Sequence, residues 1–159
     1  MGQVVSLVEI ESLVSKARSN NQSIVLANGH FDLLHVGHVR YLKAAKREGD
    51  ILIVGVNSDD STRRLKGVGR PIVNAVGRAE LVAALSVVDL AVIFQGDDVS
   101  TLVTLLRPDV HCKGTDYTEE DVPERGLVCK IGGRTRVVGD PKVHGTSDLI
   151  NTVINRFSN

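Results

Sequence analysis

Two histidines, His35 and His38, bracket a Val-Gly pair at the end of the stretch NGHFDLLHVGH, residues 28–38. Residues three apart share a helix face, so both imidazoles can address one ligand. Gly37 removes a side chain where backbone N–H groups at the start of a helix can approach an anion closely. A phosphate between two imidazole donors is a site for the negative charge that builds on oxygen during group transfer. Zinc chemistry fits poorly, because no third ligand of suitable type sits nearby in the sequence. Taken alone, H-x-G-H reads more readily as a helix cap plus a surface histidine. Its place, after a strand and an Asn-Gly turn, is far more specific and favours phosphate. Neither GxGxxG after the first strand of that unit nor GxxxxGK[ST] anywhere occurs, so the two commonest phosphate loops are absent.

Strands and helices must hold those side chains. Leu7, Ile10, Leu13, Val14 and Ala17 at helical spacing predict a helix over 7–19. A short buried strand follows at 23–27, then the helix opened by the two histidines, ending near 48–50. ILIVGV (51–56) is a wholly apolar strand of the kind covered on both faces. A helix over 79–88, a strand over 90–94 and a helix over 99–107 stopped by Pro108 come next. Strands at 110–113 and 135–139 precede a last amphipathic helix over 147–157, capped by Thr146 or Ser147. This alternation predicts a single-domain α/β fold, a doubly wound parallel sheet of about five strands. Ligands of such sheets sit beyond the strands' carboxyl ends. The polar loops there are Asn28-Gly29-His30, Asn57-Ser58-Asp59-Asp60, Gln95-Gly96-Asp97-Asp98 and Lys113-Gly114-Thr115-Asp116.

The chain has 159 residues, 42% of them hydrophobic, enough for one domain with a sizeable core. Basic and acidic residues balance at 19 each, so nothing in the net charge points to nucleic acid or an anionic membrane. The longest apolar run, 51–56, is too short to span a bilayer. Cys112 and Cys129 lack metal-type spacing and read as buried or half-buried thiols of a reducing compartment. A cytoplasmic location is expected. The one charge asymmetry lies at 61–78, where Arg63, Arg64, Lys66, Arg70 and Arg78 occur without an acid. At a strand's carboxyl end this reads as a phosphate-attracting segment rather than a merely solvated loop. Gly67 and Gly69 suggest that it moves over the substrate.

GHFDLLHVGHVRYL resembles the HxGH signature of the cytidylyltransferase-like nucleotidyltransferases. Val56-Asn57-Ser58-Asp59, Arg63-Arg64-Leu65-Lys66-Gly67, Gly69-Arg70-Pro71-Ile72, Arg107-Pro108-Asp109-Val110 and Lys113-Gly114-Thr115-Asp116-Tyr117 follow in that family's order. The similarity covers roughly 23–155 and is greatest to the adenylyltransferases that act on a heptose 1-phosphate. It makes 23–159 the nucleotidyltransferase domain and 1–22 an N-terminal helix and lead-in.

The resemblance implies a Rossmann-like fold and in-line attack of a sugar phosphate on the α-phosphorus of ATP, with Mg²⁺ on the triphosphate. It implies catalytic roles for His35, His38 and Lys66, and nucleotide contacts from Asn28, Gly29, His30, Phe31, Gly37, Lys113 and Gly114. Asp32 braces the nucleotide loop. Asn57, Asp59, Arg64, Arg70 and Asp116 are expected at the sugar phosphate. Thr146 and Ser147 read both as a plain helix start and as a phosphate or ribose contact. A cytidylyltransferase for glycerol phosphate or phosphoethanolamine, and a non-catalytic nucleotide-binding module, are the competing readings. A homodimer is expected, with the apolar content of 79–106 as its shared surface. Three positions depart from the family pattern: His30 replaces a small or apolar residue, Gly77 an acid, and Gly145 a serine.

Overall fold

The apolar strands pair into one sheet in a computed structural model that describes residues 2–141 and 145–158. Its strands are β1 (Gln3–Val5), β2 (Ile24–Gly29), β3 (Ile51–Asn57), β4 (Leu90–Phe94), β5 (Val110–Lys113) and β6 (Arg134–Val137). They are all parallel, in the order β1-β4-β3-β2-β5-β6. The helices are α1 (Leu7–Ser19), α2 (Val36–Lys46), α3 (Asp59–Lys66), α4 (Ala75–Ala83), α5 (Ser100–Leu106), α6 (Arg125–Lys130) and α7 (Thr146–Phe157). From β2 the chain winds one way to β3 and β4, and from β5 the other way to β6. The strand order therefore reverses between β2 and β5, where such sheets open a crevice.

Side chains alternate between two cores. Val25 and Ala27 of β2, with Leu52 and Val54 of β3, pack against Leu42 and Ala45 of α2 and Ala79 and Val82 of α4. Ile24, Leu26 and Ile53 face the other way, onto Ile10 and Val14 of α1, Leu102 and Leu106 of α5 and Val128 of α6. Burial on both faces explains why 51–56 shows no polar alternation.

Five elements differ from the expectation, among them α4, which starts at the Asn74 cap and runs Ala75–Ala83 where a helix over 79–88 is expected. Three residues, Gln3–Val5, form an edge strand against β4, too short to show a period. They and α1 join segment 1–22 to the same sheet. The basic segment opens as a helix, α3, capped by the Ser58 side chain accepting from Ser61 N–H. α6, six residues long, falls below the length at which a helical period can be read. The cap of α7 is Gly145, not Thr146 or Ser147, and its N–H donates to Asp148 at 2.7 Å. His144 lies outside the described residues. Cys112 is buried as expected, but Cys129 is exposed. The apolar residues of 79–106 mostly fill the two cores, with Leu81 the one large exposed hydrophobic among them. That segment therefore offers little shared surface.

Arg78, read from sequence as part of the basic loop, is fully buried. Its guanidinium donates to the backbone carbonyls of His30 and Val73 and to Asp59 at 2.8 Å. Truncation to alanine would leave two carbonyls and part of a carboxylate unserved. Arg78→Ala should lose about 2–4 kcal/mol of stability in urea unfolding, an ordinary cost for buried charged hydrogen bonds. A loss within experimental error would show that these contacts are dispensable.

Candidate active site

A cleft of about 720 Å³ opens at the carboxyl ends of the strands, around the reversal between β2 and β5. Its size suits a small-molecule site. All the expected site residues line it except Asp59 and Arg64. Asp59 instead pairs with Arg78, and Arg64 holds Asp97 of the cleft wall through Nη2 at 2.6 Å.

The two histidines are arranged by the backbone around the start of α2. His35 is the N-cap, and its Nδ1 accepts from Gly37 N–H at 3.2 Å. His38 Nδ1 accepts from His35 N–H at 3.3 Å. Each acceptor nitrogen must be unprotonated, so in the neutral ring the proton sits on Nε2. The rings lie with centroids 3.9 Å apart and planes tilted by 30°. Gly37 thus uses its N–H to orient an imidazole, a role the sequence reading assigned to phosphate approach. Burial, then the neighbouring His35, pushes His38 down to about 4. The neutral donor form therefore prevails at physiological pH.

The loop before α2 is tightly held. Phe31 takes a left-handed backbone, φ 49°, which is uncommon for a residue with a side chain. Its buried ring sits 5.1 Å from His38, and a Cβ at Gly29 would come within 3.1 Å of it. Asp32 is buried and accepts from Ile72 N–H at 2.7 Å, Val73 N–H at 3.0 Å and the Arg70 guanidinium. Burial alone would push this carboxyl up, but the Val73, Arg70 and Ile72 hydrogen bonds outweigh it and hold it down. Asp32, expected to brace the nucleotide loop, thus ties that loop to the segment after α3.

That segment carries less unpaired charge than its sequence suggests. Arg63 pairs with Asp60, Arg64 with Asp97, Arg70 with Asp32 and Arg78 with Asp59. Lys66, the last residue of α3, has no ion pair among the described residues and lines the cleft. Beyond it, Gly67 and Gly69 adopt φ of 90° and 83° with open space around them. The departure at position 30 also faces this group. His30 Nδ1 lies 3.0 Å from Thr62 Oγ1 on α3. Burial, then Lys66, Arg78 and Arg70, holds His30 at about 4.

Across the reversal, Asn28 Oδ1 lies 3.2 Å from His111 Nε2. His111 is buried, and burial followed by Lys113 lowers it to about 3, so its ring is neutral and structural. Lys113 is almost buried, with its ammonium 3.4 Å from Glu124 and 5.5 Å from the centre of the Tyr117 ring. Burial lowers its pKa, and Glu124 opposes the shift. Sequence reasoning missed Glu124, Tyr41, Arg40, Asp98 and Asp140, which also line the cleft. Only Asp98 lay in a loop already singled out. Arg40 and Asp140 form an ion pair at 3.2 Å, and the Thr115 hydroxyl donates to the Asp140 carbonyl at 2.8 Å. These contacts hold Asp140, just after β6, against Arg40 of α2 and Thr115. Among the described residues no three His, Cys, Asp or Glu side chains converge as a metal-ligand set. No helix among them is long and apolar enough to cross a membrane.

Residues 26–147 match the family model described as Cytidylyltransferase-like. The bifunctional protein HldE of Syntrophotalea carbinolica is 42% identical over 148 residues, covering 93% of this chain and 30% of that protein. HldE of Pelobacter propionicus is 43% identical over 146 residues, covering 92% of this chain and 30% of that protein. The chain thus spans about 30% of the length of the curated relatives it matches. Among solved structures, a lipopolysaccharide core biosynthesis protein from Thermoplasma volcanium is 32% identical with a TM-score of 0.65. That match covers 77% of this chain and 99% of that one. Pantoate-beta-alanine ligase from Francisella tularensis shares the fold at 15% identity and a TM-score of 0.62, over 92% of this chain and 69% of that one.

The half-buried imidazoles of His30 and His38 predict an acid sensitivity whose sign is fixed. His30 and His38 sit at about 4 when folded against an ordinary 6.5. The unfolded chain therefore binds more protons between those values. Stability should be full above pH 6.5 and decline as pH falls towards 4, read as the urea midpoint. Ring NMR should show His38 titrating near 4 with its neutral proton on Nε2. Titration of His38 near 6.5 would overturn this account of its environment.

Proposed function

The chain belongs to the cytidylyltransferase-like family, and on that premise we propose that it is an adenylyltransferase acting on a sugar phosphate of the heptose 1-phosphate type. An oxygen of the sugar phosphate attacks the α-phosphorus of ATP, the bond to the bridging oxygen breaks, and pyrophosphate leaves with the electron pair. The observation that carries this reading is the paired imidazoles, each with Nδ1 held by a backbone N–H and each therefore a donor at Nε2. Such donors stabilise charge growing on phosphoryl oxygen and need no reorganisation when it appears. Lys66 supplies a positive charge to the phosphates, and Asp32 sets Arg70 beside them.

Asn28, Gly29, His30, Phe31 and Gly37 shape the nucleotide side, with Thr146 and Ser147 at the start of α7. A divalent ion fits this cleft as part of the ATP. Mg²⁺ keeps water and phosphate oxygens as its main ligands and would enter with the triphosphate. It would neutralise charge on the triphosphate. The carbohydrate acceptor is supported by the heptose-type resemblance of Asn57-Ser58-Asp59, Arg63-Arg64-Leu65-Lys66-Gly67 and Lys113-Gly114-Thr115-Asp116-Tyr117. One solved relative is also named for lipopolysaccharide core biosynthesis. The need for ATP and the two unpaired cysteines suit a cytoplasmic enzyme.

Pyrophosphate release with heptose 1-phosphate should be faster with ATP than with CTP. His35→Ala and His38→Ala should each lower turnover by about 10²–10³ while the melting temperature stays near normal. Equal or better turnover with CTP would reverse the base assignment, and near-wild-type turnover in either variant would remove that histidine from the transition state.

We also propose a homodimer. Its candidate contact is the exposed apolar face of Val153, Ile154 and Phe157 on α7 rather than 79–106. Light scattering should give the mass of two chains at micromolar concentration, and the mass of one would dismiss it.

A further inference from the structure

Glu124 stands just before α6, on the cleft wall, and is only 4% exposed. Its Oε1 accepts from Lys113 at 3.4 Å and from Val99 N–H at 3.5 Å, both at the long limit of a hydrogen bond. Its Oε2 is buried with no hydrogen-bond partner among the described residues. Natural structures seldom leave a buried carboxylate oxygen without a donor, and the exceptions gather at sites that a ligand or a water completes.

The position of Glu124 says which ligand. α2, with His35 and His38 at its start, packs on one face of the sheet, and the chain leaving β6 runs along it. α5 and α6 pack on the opposite face, and Glu124 joins their starts through Val99 N–H. In-line transfer requires the attacking oxygen and the departing pyrophosphate on opposite sides of the α-phosphorus. If the nucleotide's phosphates lie at α2, the wall around Glu124 is the one across the cleft from them. A carboxylate there suits hydroxyl donors and repels phosphate, while Lys113 beside it balances its charge.

We infer that Glu124 is a specificity-determining residue for the acceptor, its Oε2 accepting a hydrogen bond from a hydroxyl of the sugar. The inference rests on the adenylyltransferase reading. Pyrophosphate release by the full chain, wild type and Glu124→Gln, with ATP and heptose 1-phosphate and its monodeoxy analogues tests it. Glu124→Gln should raise the acceptor KM by about 10–100-fold, the size of a lost hydrogen bond to a charged group. The ATP KM and the melting temperature should stay close to wild type. The wild type should discriminate against at least one monodeoxy analogue, and the variant should not discriminate against that same analogue.

An unchanged acceptor KM, or both KM values rising together with a fall in melting temperature, would make Glu124 a strut or a water site and overturn the inference alone. Should the variant fail to fold, a wild type indifferent to every monodeoxy analogue overturns it as well. A wild type inert towards heptose 1-phosphate would overturn the adenylyltransferase reading and this inference with it.

Discussion

A single buried guanidinium fixes the frame of the cleft. Arg78 reaches from α4 to the carbonyl of His30 in the loop after β2, to the carbonyl of Val73 before its own helix and to Asp59 at the start of α3. Those are the three segments that line one side of the site. A buried charge with imperfect partners is destabilising, so this arrangement persists only while all three segments hold their places. Asp32 then copies the device with opposite charge, binding two backbone N–H groups and Arg70. Between them the two residues leave Gly67 and Gly69, with nothing near them, as the part of the segment least constrained by side-chain contacts.

That frame permits neutral imidazoles to act beside cations. Burial holds His30 and His38 at about 4, with Lys66, Arg78 and Arg70 adding to it at His30 and the neighbouring His35 at His38, so neither ring adds charge of its own. Neutrality is useful here because a ring protonated on both nitrogens could not accept the N–H that orients it. Lys66 is the cation of this segment without an ion pair among the described residues, since the arginines around it are paired with carboxylates, and in the proposed reaction attraction for a triphosphate would fall to it. Under the proposed transfer the labour would divide: one lysine attracting, two oriented rings favouring the transition state.

Much of this was legible from local pattern. The apolar strands at 24–29, 51–57 and 90–94 declare a parallel sheet because both their faces are buried, and the histidine spacing declares a shared direction. What stayed illegible depends on tertiary context. Arg78 looks in sequence like its basic neighbours, and only the fold shows it buried beneath them. Asp59 resembled a substrate ligand for the same reason: its partner lies 19 residues away. β1 and α6 are too short for periodicity, and the cap of α7 passes to Gly145 because Asp148, three residues on, supplies the acceptor. Glu124 escaped notice since a single glutamate before a short helix carries no motif.

The winding of the sheet explains why these residues meet. Helices reached by moving from β2 towards β4 pack on one face, and those reached by crossing back to β5 and on to β6 pack on the other. Right-handed crossovers allow no other assignment. A crevice at the reversal therefore has walls from both layers, α2 on one side and the segments leading into α5 and α6 on the other. In the proposed transfer, two substrates meeting in line would each be held by a different layer, without competing for the same side chains. Asn28 and Lys113, at adjoining strand ends, stand where the two layers come together. The buried His111 beneath Asn28 fixes that junction from below. The sheet topology thus gives the cleft the two-sided geometry that the proposed two-substrate transfer would need.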